Sequence, residues 1–159
     1  MIHVCSLARL HATAEEIGAT HIVSLLGTET RVTRPGWIEP DNHLYLQMHD
    51  IAAPLEGQIC PAEEHLERLI AFVQRWERAA PMLVHCYAGI SRSTASAYAA
   101  VCALNPHRDE KEIALKLRQA SPTANPNVRI VAMADEMLGR RGRMIAAIDS
   151  IGPGIEAVE

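Results

Sequence analysis

The chain has 159 residues, 48% of them apolar and 21% charged, which suits one globular domain with a sizeable core. A formal charge of −4 gives no electrostatic footprint for nucleic acid, and no apolar run approaches the roughly 20 residues that span a bilayer. The four cysteines (Cys5, Cys60, Cys86, Cys102) form no C-x-x-C pair, which argues against a disulfide framework or a zinc site and for a reducing, cytoplasmic setting.

Met1 to Leu10 carries no basic segment ahead of a long apolar stretch, so no secretory signal is expected. Ile2 to Ser6 is a short β-prone run. Thr13-Ala14-Glu15-Glu16 has the spacing of a capping box and predicts a short helix that Gly18 must end. His21 to Leu26 reads as a buried strand closed by Gly27. Residues 28–41 are polar and turn-rich, and Arg31, Arg34 and Trp37 read there as a solvated loop with one anchoring aromatic, help in substrate binding being the alternative. Leu44 to Met48 alternates as a third strand and leaves through the loop His49 to Gly57. Pro61 suits a first helical position, Glu63 and Glu64 suit the positive helix end, and Leu66, Leu69, Ile70, Val73 and Trp76 recur at helical spacing. An amphipathic helix is expected over 61–79, stopped by Pro81.

Met82-Leu83-Val84 is a buried strand running into the loop His85 to Ser93. A helix of small, almost uncharged residues follows Arg92, the kind that packs deep against a sheet, and Asn105-Pro106 ends it. Asp109 with Glu112 opens another helix, with Ile113, Leu117 and Ala120 as its inner face. Asn125-Pro126 has cap-then-first-turn chemistry for a helix through Leu138, with Gly139 as its stop. Residues 140–159 read as a docking helix and frayed tail on the same domain, a dimer contact being the alternative use of that apolar stripe. Strands alternating with helices, then a helical second half, give an α/β fold: a mostly parallel central sheet flanked by helices, in a single domain over 1–159.

The chemistry is concentrated in His85-Cys86-Tyr87-Ala88-Gly89-Ile90-Ser91-Arg92-Ser93. A phosphoryl group spreads charge over three oxygens, and a tight loop of inward N–H groups at a helix N-terminus binds it well. Tyr87, Ala88, Gly89, Ile90 and Ser91 supply such amides, and Gly89 lets the backbone curl closely. Arg92 adds a planar fork that takes two oxygens at once. The same field turns the Cys86 thiol into a thiolate nucleophile. Alone, Cys86 would read as an inert core thiol and Arg92 as a helix surface charge; together with His85, Gly89 and Ser93 at this spacing they read as a phosphatase loop.

His-Cys-x-Ala-Gly-x-Ser-Arg-Ser resembles the signature of the cysteine-based protein tyrosine phosphatases, in the form typical of the dual-specificity branch, and so implies the phosphotyrosine protein phosphatase-like fold. Low-molecular-weight phosphatases share Cys-x5-Arg but place it near the N-terminus, whereas here it falls past the midpoint. The resemblance implies that Ser93 eases departure of the sulfur in a second step and that His85 supports the loop. It also implies an aspartate acid on a loop upstream. Asp50 fits, ending a predicted strand and preceding Cys86 by 36 positions (86 − 50) with the amphipathic helix and central strand between. Glu56 is the fallback, and Asp41 falls at the wrong end of its strand. A positioned acid contributes typically 10²–10⁴-fold.

The expected scheme has Cys86 attacking phosphorus, Asp50 protonating the leaving oxygen and then activating water, and Arg92 with the amides stabilising charge without metal or cofactor. The loop interior holds no lysine, which argues for a phosphorylated protein or peptide substrate, phosphotyrosine first and phosphoserine or phosphothreonine second, over a phosphoinositide. A phosphate-recognition module without turnover and a thiol redox sensor, with Cys5, Cys60 or Cys102 as resolving partner, are the alternatives.

Overall fold

The computed structural model describes residues 1–157. Four strands, β1 (Ile2–Ser6), β2 (His21–Leu26), β3 (His43–Gln47) and β4 (Met82–Cys86), form one sheet in the order β1-β4-β2-β3. Every pairing is parallel, with Ser6 beside Cys86, Ser24 beside His85 and Ile22 beside His43. All of β4 is buried, as its unbroken apolar run requires of a central parallel strand. The α/β reading therefore holds, and the sheet is wholly parallel.

The helices are α1 (Leu10–Ile17), α2 (Glu63–Arg75), α3 (Arg92–Leu104), α4 (Glu110–Ala120), α5 (Val128–Met137) and α6 (Arg143–Ile151). One face of the sheet carries the larger core, where Val23, Leu25 and Val84 meet Leu69, Val73, Tyr98 and Ile130. The other face is covered more thinly, by Leu10 and Ala14 of α1 and by Ile38 against Ile22 and Leu83. Ten of the 13 residues of α3 are buried, as its lack of charge demands.

Several boundaries differ from expectation for physical reasons. Thr13 is not a cap: a 3-10 turn over Leu7–Arg9 runs directly into α1, so that Leu10 and Ala14, one turn apart, both face the core. The anchor of the 28–41 loop is Ile38, 2% exposed, whereas Trp37 is half exposed and only donates its indole N–H to the Ala19 carbonyl at 3.2 Å. Helix α2 begins two residues after Pro61, where the His65 ring accepts the Ala62 N–H at 2.9 Å. It ends at Arg75, because Trp76 turns extended and donates its indole N–H to Ala80 O at 3.0 Å, closing the turn that leads back to β4. On α4 the inner face is Ile113 and Ala114, with Leu117 half-buried and Ala120 exposed, and Asp109 caps as expected by accepting the Glu112 N–H at 3.1 Å.

The cap of α5 is Asn127, not Asn125. Its Oδ1 accepts the N–H groups of Arg129 and Ile130, both at 3.0 Å. Helix α6 packs on α4 and α5 and seals a buried ion pair: Arg140, just before it, meets Glu110 at 2.8 Å, and Arg143 adds a second contact at 3.0 Å.

Candidate active site

Strand β4 delivers His85 and Cys86 to the C-terminal edge of the sheet, and α3 starts at Arg92, so residues 87–91 form a loop between strand end and helix start. The loop is fixed from outside through its carbonyls. Tyr87 O accepts the Leu7 N–H at 3.0 Å, Ile90 O accepts from Asn125 at 2.9 Å, and Ser91 O accepts from Asn127 at 3.1 Å. Gly89 has φ 74°, and a Cβ there would stand 2.7–2.8 Å from the backbone of Cys5 and Ser6. Only glycine satisfies both the left-handed dihedral and this close approach to β1.

Cys86 is 2% exposed, with Sγ 3.3 Å from the Gly89 nitrogen and 3.2 Å from Ser93 Oγ. Burial alone would push the thiol up. Hydrogen bonds from Ser93 and from the Gly89 N–H, together with the Arg92 charge, outweigh it and hold the thiol below its ordinary value. Arg92 is itself buried and gives one guanidinium N–H to Met48 O at 2.8 Å. Its Nε is buried with no hydrogen-bond partner among the described residues. A buried donor without an acceptor is costly, and a bound oxyanion would supply one. Tyr87 is 63% exposed at the mouth, and Ala88 is exposed beside it.

His85 is fully buried on the α1 face of the sheet, where burial lowers its pKa to about 4, so the ring is neutral at physiological pH. Its Nδ1 lies 3.2 Å from the Cys86 carbonyl and its Nε2 lies 2.6 Å from Ser24 Oγ, which in turn lies 2.8 Å from His43 Nε2. A carbonyl can only accept, so His85 carries its proton on Nδ1. Its Nε2 must then accept from Ser24, and Ser24 must accept from His43. Sequence reasoning found His85 but not Ser24 or His43, since the three come together only across neighbouring strands.

Asp50 lies on the loop after β3, above the phosphate loop. Its Oδ1 accepts the Ser91 hydroxyl at 2.7 Å and the Asn127 side-chain amide at 2.9 Å. Asn127 also donates to Ile51 O at 3.2 Å, so this cap residue ties the Asp50 loop to the start of α5. The neck of the Asp50 loop is closed by His49, whose backbone N–H donates to Ile59 O at 2.8 Å while its ring accepts the Ile59 N–H at 2.9 Å. Glu29 holds the other ring nitrogen at 2.9 Å. Glu56 is exposed and makes no hydrogen bond to the phosphate loop among the described residues. Asp41 sits in the turn before β3, at the opposite edge of a parallel sheet from Cys86.

Asn127 is a further residue of the site, besides Ser24 and His43, that sequence reasoning missed. Its signal is its cap-forming residue type directly after Pro126, two positions beyond Asn125. Cys5 sits on β1 beside His85, with burial pushing its thiol up to about 11, while Cys102 is buried one turn from the far end of α3. Among the described residues no group of three or more histidine, cysteine, aspartate or glutamate side chains is gathered as metal ligands.

The family model described as protein-tyrosine phosphatase matches residues 30–147. No curated protein matches the chain in sequence. Among solved structures, DUSP15 superposes with a TM-score of 0.69 at 20% identity, covering 95% of this chain and 92% of its own. Human DUSP28 gives 0.67 at 18% identity, covering 87% and 92%. The Yvh1 phosphatase domain from Chaetomium thermophilum gives 0.60 at 21% identity, covering 90% and 93%. With the family match spanning residues 30–147 and the fold shared with compact dual-specificity phosphatases, this chain belongs to the protein-tyrosine phosphatase family.

Proposed function

We propose that the protein is an active phosphatase that hydrolyses phosphate monoesters on phosphoproteins, phosphotyrosine first, through a phosphocysteine intermediate. The observation that carries this reading is the thiol of Cys86, lowered by fixed donors and set beside an arginine whose buried Nε lacks an acceptor. A recognition module needs the arginine and the amides but has no use for a stabilised thiolate.

In the first step the Cys86 thiolate forms a bond to phosphorus as the bond to the ester oxygen breaks. The Asp50 carboxylic acid gives its proton to that oxygen, so the leaving group departs as a neutral alcohol or phenol. Arg92 and the N–H groups of residues 87–91 take the equatorial oxygens. In the second step Asp50, now a carboxylate, removes a proton from water. The water oxygen bonds to phosphorus, the sulfur–phosphorus bond breaks, and Ser93 donates a hydrogen bond to the departing thiolate. The Ser91 and Asn127 contacts to Asp50 support this assignment over Glu56.

The test is turnover of 4-nitrophenyl phosphate and of phosphotyrosine, phosphothreonine and inositol phosphate substrates, with Cys86→Ser as blank. The expected result is turnover of the aryl and phosphotyrosine substrates, none with Cys86→Ser, and a strong loss with Asp50→Ala but not with Glu56→Ala. Near wild-type turnover by Cys86→Ser would overturn the scheme. A stoichiometric burst without turnover would make the protein a recognition module.

A further inference from the structure

Among the described residues, the rim of the sheet opposite β3 is open: strand β1 is an edge strand that pairs only with β4. The Met1 carbonyl accepts the Met82 N–H at 3.0 Å and the Leu7 N–H donates to Tyr87 O at 3.0 Å, so the odd-numbered residues of this stretch turn their backbone groups toward β4. Backbone direction alternates along a strand, so Ile2, Val4 and Ser6 turn their N–H and C=O groups outward. Natural sheets guard such edges with lysine, proline or a bulge. Residues 2–6, Ile-His-Val-Cys-Ser, carry no charged residue and no proline, and all five are only half-buried.

Beside this edge runs a groove of about 500 Å³ between β1 and helices α3 and α4. Its apolar lining includes Ile2, Val4, Val101, Leu104 and Leu117, and its charged lining is Arg78, Arg108 and Lys116. None of the described lining residues is acidic. Arg108 and Lys116 share one carboxylate, Glu112, at 3.3 and 3.6 Å, and Arg78 is in no ion pair among the described residues. The groove therefore keeps a net positive rim over an apolar floor. Ile2 pairs with Met82 and Ser6 with Cys86, so the floor begins four residues, about 13 Å, from the nucleophile, and the groove is separate from the phosphate loop.

We infer that β1 is a docking edge for another protein, which adds an extended segment with apolar residues at alternate positions and acidic residues between them. Main-chain hydrogen bonds to Ile2 and Val4 would hold the segment. Its apolar side chains would fill the groove, and its carboxylates would meet Arg78, Arg108 and Lys116. Charge decides the occupant. A second copy pairing its own β1 across a two-fold axis would bring two positive rims together, whereas an acidic segment neutralises one. Nothing in this inference depends on turnover at Cys86.

The test uses a dye-labelled ten-residue peptide of alternating valine and glutamate, its valine–lysine counterpart, and fluorescence anisotropy. The glutamate peptide is expected to bind, with affinity falling as salt rises, and to slow hydrogen exchange at the Ile2 and Val4 amides; the lysine peptide is not. Val4→Pro removes only an outward N–H, so its thermal midpoint should stay near that of the unmodified protein while binding falls tenfold or more. The double variant Arg78→Glu/Lys116→Glu should lose binding to a similar extent. Equal binding of both peptides, or binding unchanged by Val4→Pro and by the double variant, would overturn the proposal. A concentration-dependent dimer abolished by Val4→Pro would also overturn it, by assigning the edge to a second copy.

Discussion

Replacing Asn127 separates two jobs that one side chain performs. Its Oδ1 caps α5 through two N–H groups, and its Nδ2 holds Asp50. Losing the cap in Asn127→Ala costs about 1 kcal/mol, or about 3 °C in thermal midpoint for a chain of this size. In the step that needs the acid Asp50 is the neutral carboxylic acid, and a hydrogen bond between neutral groups is worth about 0.5–1.5 kcal/mol, which corresponds to roughly 2–10-fold in rate if it is needed only to place the acid. The Ser91 hydroxyl remains on the same oxygen, so the expected loss does not exceed about tenfold. The loss should depend on the leaving group. Phenyl phosphate, which needs the proton, should slow about tenfold, while 4-nitrophenyl phosphate should slow about twofold or less. Asn127→Ser keeps an oxygen acceptor for the cap on a side chain too short to hold Asp50, so it should melt within about 1 °C of the original yet keep the phenyl phosphate defect. Full phenyl phosphate turnover in Asn127→Ser would refute the positioning role. Equal losses on both substrates in Asn127→Ala would assign the residue to helix capping alone.

Alkylation of Cys86 by iodoacetamide should reach half its maximal rate below the ordinary cysteine value of about 8.5, and Ser93→Ala should move that inflection up by removing a donor to the thiolate; coincident curves would contradict the assignment. His85 takes a proton near pH 6.5 when unfolded but only near pH 4 when folded, so stability should fall as pH drops through that window, by an amount on the order of 3 kcal/mol. Urea unfolding at pH 7 and 4.5 measures this, and His85→Asn should flatten the dependence. Arg140→Met leaves Glu110 buried with only the half-exposed Arg143, and should cost about 3 kcal/mol in the same assay. The double change with Glu110→Gln should recover only the part owed to the stranded carboxylate, because Arg140 also donates to the Cys102 and Asn105 carbonyls at 2.7 and 3.1 Å, and an undiminished double-variant cost would assign its role to those carbonyls.

The loop from His85 to Ser93 was legible because its chemistry is local: nine consecutive residues carry the thiol, the loop amides and the guanidinium. The four strands were legible for the same reason, each being a short apolar run between turn signals. What sequence could not supply was the partner of a partner. Asn127 reaches Asp50 across 77 positions, and Ser24 reaches His85 across 61. The misplaced cap shows the competition involved. Asn125 has the right side chain, but the N–H groups of Asn125 and Asn127 are both drawn to the carbonyls of the phosphate loop, which holds the chain extended until Asn127. At Trp76 a helical apolar period was continued by a residue whose indole serves a turn instead. In each case a contact from a distant element overrode a correct local preference.

Under Cys86, the donors of His43, Ser24 and His85 all point one way, ending at the Cys86 carbonyl. Three neutral groups thus act as a head-to-tail stack of dipoles whose positive end faces the backbone of Cys86, polarising one another, with Ser24 and His85 fully buried. The core thereby gains a directed field without burying a formal charge. Reversing that field would require all three groups to exchange protons together, so the floor beneath the Cys86 sulfur has one electrical polarity at every pH where both rings remain neutral.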